Sequence, residues 1–160
     1  MTTLQGTRPA VPYSWRCATW LRYLITAAAA VAVGALGTLA HRMGAAQGWP
    51  YGMLMAWLLV GLSGWCARAR SGTGGLGLHL TLSTLVVYFM AMPGPGGDAM
   101  VPIGFRGDAV PWLSQNSGYL WMFGMLAIQL VELALPRAWF RLRAQGALPP
   151  TDVDADVRHG

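Results

Sequence analysis

The sequence predicts an all-α integral membrane protein, a four-helix up-down-up-down bundle with a long outer loop between helices 3 and 4. Three observations predict it. Four apolar stretches, residues 22–40, 51–67, 76–92 and 118–135, are each 17 to 19 residues long and hold only Arg22, His79 and Glu132 as ionisable groups beyond tyrosine and cysteine. About 20 helical residues cross a hydrocarbon core. Hydrophobic residues make up 54% of the 160 and charged residues only 11%, against about 25% charged in soluble domains. The arginines also gather at alternate ends of the stretches.

The chain is expected to divide into a cytoplasmic N-terminal segment (1–21), a transmembrane domain (22–135), and a basic interfacial segment with a disordered tail (136–160). The first span follows Arg16 and Arg22, which also suits a secretory signal, but its apolar run exceeds the roughly 7–15 residues of a signal h-region. Thr26, Ala30, Gly34 and Thr38 form a small-residue stripe along it. Such stripes let helix backbones approach closely. Packing against the second span, where Gly52, Ala56 and Gly64 nearly repeat the pattern, is one use; a homodimer face is the other.

Short links at 41–50 and 68–75 make neighbouring spans antiparallel. Residues 93–117 are different, at 25 residues. Loops of that length are usually functional or disordered. This one interleaves Met100, Val101, Ile103, Phe105, Val110 and Trp112 with four prolines, and repeats Gly-Asp-Ala at 97–99 and 107–109. It is expected to fold over the outer mouth, as an interfacial loop or as a lid for a ligand or partner.

Orientation follows from arginine, since positive residues stay cytoplasmic in short loops. Arg8, Arg16, Arg22, Arg68, Arg70, Arg137, Arg141, Arg143 and Arg158 fall on one side; only Arg42 and Arg106 fall on the other. Both termini are therefore expected in the cytoplasm of a multi-pass cell-membrane protein. Tryptophan prefers the membrane boundary, and Trp15, Trp20, Trp65 and Trp139 match the inner one. Trp49, Trp112 and Trp121 match the outer one, leaving Trp57 in mid-span. Cys17 and Cys66 fall on the cytoplasmic side, where thiols stay reduced.

The net charge of +5 does not imply a nucleic-acid partner, because the arginines serve topology. The expected partner is the lipid bilayer, with a membrane-protein partner or a second copy as the further contact. Arg137, Arg141 and Arg143, beside Trp139 and Phe140, are expected to meet anionic headgroups. Asp152, Asp154 and Asp156 alternate like a calcium loop but lack its glycine and distal glutamate. No catalytic, cofactor-binding or metal-binding residues, and no cofactor, are expected; no phosphate loop, zinc helix or nucleophile elbow occurs.

Ionisable residues inside a membrane are functional candidates by default. His79 lies four residues into the third span and Glu132 four residues from the end of the fourth, which puts both about 6 Å below the inner boundary. A His79–Glu132 pair is expected, with Gln129 one turn deeper. It would serve as an interhelical polar clasp, or as a proton relay.

Gln47-Gly48-Trp49-Pro50-Tyr51-Gly52, Pro95-Gly96-Gly97-Asp98 and Ser117-Gly118-Tyr119-Leu120-Trp121 carry a resemblance. Over residues 47–135 the chain resembles an uncharacterised actinobacterial family of small four-span integral membrane proteins, departing from it by extra residues between Asp98 and Ser117. The resemblance implies the fold and an actinobacterial source, and it transfers no site residue. The arginine-only basic set, with no lysine, and the single asparagine, Asn116, point to the same GC-rich source. The expected role is that of a non-enzymatic accessory or scaffold protein acting through protein or lipid contacts. The alternative is a small transporter or channel using His79 and Glu132.

Overall fold

The computed structural model describes residues 17–97, 101, 107 and 109–140. These are helical, with no strand among them: α1 (Thr19–Ala40), α2 (Tyr51–Ala91) and α3 (Trp112–Ala134), with short 3-10 turns at Ala45–Gln47 and Arg137–Phe140. All three α-helices are long and apolar enough to cross a membrane.

Three helices stand where four were expected, because spans two and three lie in one 41-residue helix. Its regularity breaks at a single residue, Gly72, with φ 67° and ψ −155°. Glycine takes positive φ without the Cβ clash that other residues suffer. A straight helix of that length would run about 60 Å, twice the hydrocarbon thickness. Instead the arms return along each other. Ser63 Oγ lies 2.8 Å from His79 Nε2, sixteen residues on, a gap of about 24 Å in a straight helix. A Cβ at Gly75 would come within 2.6 Å of the Ala67 carbonyl oxygen. The expected link at 68–75 is thus reduced to one non-helical residue, and α2 has two arms, 51–71 and 73–91.

α3 begins six residues before its expected start, taking Trp112–Ser117 from the outer loop. The polar residues there close on their own backbone. Gln115 Nε2 donates to the Val110 carbonyl at 2.7 Å, Asn116 Nδ2 to Trp112 at 2.9 Å, and Ser117 to Ser114 at 3.1 Å. α1 likewise starts at Thr19, three residues early. Asp98, Ala99 and Asp108 of the Gly-Asp-Ala repeats, the first sixteen residues, and Arg141, Arg143 and the acidic tail lie outside the described residues.

The small-residue stripe is buried within the chain: Thr26, Ala30, Gly34 and Thr38 all face inward. Its partner at Gly34 is the second arm of α2, where a Cβ would sit 3.1 Å from the Ser83 carbonyl and 3.2 Å from Val86. The expected contact with the first arm occurs where α1 ends and α2 begins, with Gly52 against Ala40 and Met43. Val33, Met53, Val60, Val87, Trp121 and Met125 form the core. Trp121, expected at the lipid boundary, is buried in it. Trp20, Leu54, Leu58, Phe123 and Val131 point outward, as a lipid-facing surface requires.

Candidate functional site

The polar residues of the spans meet on the axis between the arms of α2 and α3. His79 and Gln129 are fully buried. His79 Nδ1 donates to Gln129 Oε1 at 2.8 Å, and its Nε2 accepts from the Ser63 hydroxyl at 2.8 Å. Gln129 Nε2 in turn donates to Ser83 Oγ at 3.2 Å, which donates to the Leu80 carbonyl at 3.3 Å. This assignment makes the imidazole neutral, with its proton on Nδ1. Three helical segments are joined by one closed chain of hydrogen bonds.

The expected His79–Glu132 bond is therefore replaced by His79–Gln129, since both imidazole nitrogens are engaged elsewhere. Depth matched Glu132 to His79, but Gln129, three residues earlier, has the rotational phase that points to the axis. Glu132 instead lies against Gly64, where a Cβ would stand 3.3 Å from its carboxyl carbon. The side chain is buried, and Oε2 has no hydrogen-bond partner. Arg68 supplies the positive charge that acts on it.

Arg68, expected at the start of the short 68–75 link, is 4% exposed, because α2 stays helical past residue 67. Its Nη2 donates to the Leu135 carbonyl at 2.7 Å, and the guanidinium covers the Phe140 ring at 4.2 Å. Beside it a pocket of about 420 Å³ is lined by Arg22, Arg68, Arg70 and Arg137, with Ser71, Thr73 and Tyr23 among the others and no carboxylate. Of the three expected headgroup arginines, Arg137 lies here. Arg22, Arg68 and Arg70 had been read for topology alone, and no linear motif joins them.

A second opening of about 430 Å³ faces outward between the first arm and α3, lined by Trp57, Trp65, Leu58, Ile128, Gly61 and Glu132. Trp57 packs against Gly124, and its indole N–H is unpartnered. At the other end of the molecule His41 is buried, its ring stacked near Trp121 at 6.0 Å between centroids. Its Nδ1 bonds the Thr38 carbonyl at 2.5 Å. Trp121 Nε1 donates to Thr38 Oγ1 at 3.2 Å. Among the described residues no group of three metal-ligating side chains occurs.

No family model matches the chain, and neither the curated proteins nor the solved structures contain a match to it.

Proposed function

We propose that the chain is a four-span membrane protein with both termini in the cytoplasm, acting as a non-enzymatic accessory or scaffold through lipid and protein contacts. One contrast carries this reading. Ser63, His79, Gln129 and Ser83 spend their hydrogen bonds on one another, in the order Ser63–His79–Gln129–Ser83, whereas the arginine-lined pocket at one end of the bundle is open. A closed network joins helices, and an open basic pocket meets something outside the protein. The four-span count is supported by the return of the α2 arms at Gly72. Membership of the small actinobacterial family is part of the proposal and rests on the sequence segments alone.

The test is mild detergent extraction followed by reconstitution of the full chain. The expected result is co-purification with a defined lipid or membrane protein, and no solute or proton flux from proteoliposomes. Flux that disappears in Glu132→Gln would overturn the reading in favour of the second one. That second reading, a small transporter, draws on Glu132 lining an outward-facing groove with an unpartnered carboxylate oxygen.

A further inference from the structure

The geometry points to a binding site for a doubly charged phosphate group, a phosphomonoester headgroup or free phosphate, in the pocket where α1 begins and the α2 arms turn. This rests on the reading of the protein as one that acts through lipid contacts, and it names the chemistry of that contact.

Four arginines, Arg22, Arg68, Arg70 and Arg137, line the pocket, and none of its lining residues is acidic. Like charges gathered at the edge of a low-dielectric interior repel unless an anion joins them. Glu132 does not line the pocket, and among the described residues it is one carboxylate, acting on Arg68, against four arginines.

Three of the four are held in place from behind. Arg22 donates through Nη1 to the Arg70 carbonyl at 3.3 Å and through Nη2 to Thr19 at 3.2 Å. Arg70 Nη1 donates to Thr26 Oγ1 at 3.1 Å, and Arg68 is fixed by Leu135 and Phe140. Each guanidinium carries five N–H donors, so these contacts orient the fork and leave donors over. Arg68 Nη1, Arg22 Nε and Ser71 Oγ are buried without any hydrogen-bond partner. Buried donors are rarely left unmet. All three belong to residues that line the pocket, so an acceptor with several oxygens would meet them once their side chains turn toward it.

That requirement selects the ligand class. A guanidinium fork matches two oxygens of a carboxylate or phosphate. Several forks need more oxygens and more charge than a carboxylate has. A phosphomonoester presents three terminal oxygens and close to two negative charges at neutral pH. There is open space beside Gly72, a lining residue whose Cβ would meet nothing within 4 Å, and Gly74 leaves room for the Tyr23 hydroxyl. Trp20 and Trp139 are exposed at the same end. Tryptophans settle at headgroup depth, which places the pocket where a lipid phosphate lies.

The test uses the detergent-solubilised full chain and native mass spectrometry. The probes are dioleoyl phosphatidic acid, phosphatidylglycerol and phosphatidylcholine, each with and without millimolar inorganic phosphate. Phosphatidic acid should be retained about tenfold over phosphatidylcholine, with phosphatidylglycerol between them, and R22Q/R70Q should remove about a tenfold share of that preference. Arg42→Gln, at the other end of the bundle, should not. Displacement by inorganic phosphate supports the site with a soluble ligand as its source; retention in its presence supports it with a lipid as its source. Equal retention of phosphatidic acid and phosphatidylcholine by the unmodified chain overturns the proposal, whether or not the double variant folds. So does an undiminished preference in a folded R22Q/R70Q. Loss of the phosphate preference without flux leaves the accessory reading standing, whereas flux in proteoliposomes removes that reading separately.

Discussion

The indole of Trp121 rests on the backbone of Gly37, where a Cβ would come within 2.6 Å of ring atom Cζ2. The ring is buried and donates to Thr38 one residue on, so it has two reasons not to move. Gly37→Ala should destabilise the protein by about 1–3 kcal/mol through overpacking. Gly77→Ala is the control: its Cβ would meet nothing within 4 Å, and alanine gains up to about 1 kcal/mol of helix propensity there. Thermal unfolding in detergent should separate the two in opposite directions. Equal shifts would mean that the Trp121–Gly37 approach does not limit the packing.

The closed chain through His79 should behave as a unit. His79→Leu leaves Gln129 Oε1 and the Ser63 hydroxyl without partners, and a buried polar group stripped of its partner costs about 1–3 kcal/mol. Gln129→Leu leaves His79 Nδ1 without its acceptor, while Ser83 keeps its bond to the Leu80 carbonyl. The double variant should cost less than the sum of the two, with a coupling near the 0.6 kcal/mol average and at most about 1.7 kcal/mol for membrane hydrogen bonds. Denaturation of all four forms closes the cycle. Strict additivity would show that the two side chains do not share one network.

These positions also mark where the sequence stops being informative. Hydropathy is a local sum, so the apolar runs are legible in the sequence, but it predicts four separate helices where the second and third runs share one. Pairing needs rotational phase, and each residue turns a helix by about 100°. Depth alone therefore matched His79 to Glu132, when Gln129 faces it. Ser63 was invisible for the same reason, since only the tight return at Gly72 brings it to His79. Trp121 was read as a boundary residue because tryptophan usually is one, and the glycine that admits it to the core lies 84 residues away. Arg68 is expected at the start of a link because charge usually ends a span, but the helix continues to Ser71 and takes the guanidinium inward over Phe140.

Gly64 and Glu132 should be coupled through space. A Cβ at position 64 would overlap Oε2 of Glu132 and approach its carboxyl carbon to 3.3 Å. Gly64→Ala alone must displace the carboxylate and should be destabilising by about 1–3 kcal/mol. In a Glu132→Ala background the obstacle is gone, and the same change should become neutral or favourable by helix propensity. The sign reversal, read from melting temperatures, is the diagnostic. A penalty that persists without the carboxylate would place the obstruction in the Leu76 side chain, which lies 3.4 Å from the same Cβ.

The return of α2 at Gly72 makes the topology testable with three positions. An unbroken 41-residue helix crossing once would put Gln47 and Gly94 on opposite sides of the membrane. Two antiparallel arms put Gln47 and Gly94 together outside and Thr73 alone inside, which agrees with the arginine bias. All three positions are exposed, and the two native cysteines, Cys17 and Cys66, would first be changed to serine. Gln47→Cys and Gly94→Cys should react with a membrane-impermeant maleimide on intact cells, and Thr73→Cys only after permeabilisation. Labelling of residues 47 and 94 from opposite sides would rule out the hairpin. Labelling of Thr73→Cys on intact cells, with the other two protected, would keep the hairpin and invert the protein in the membrane.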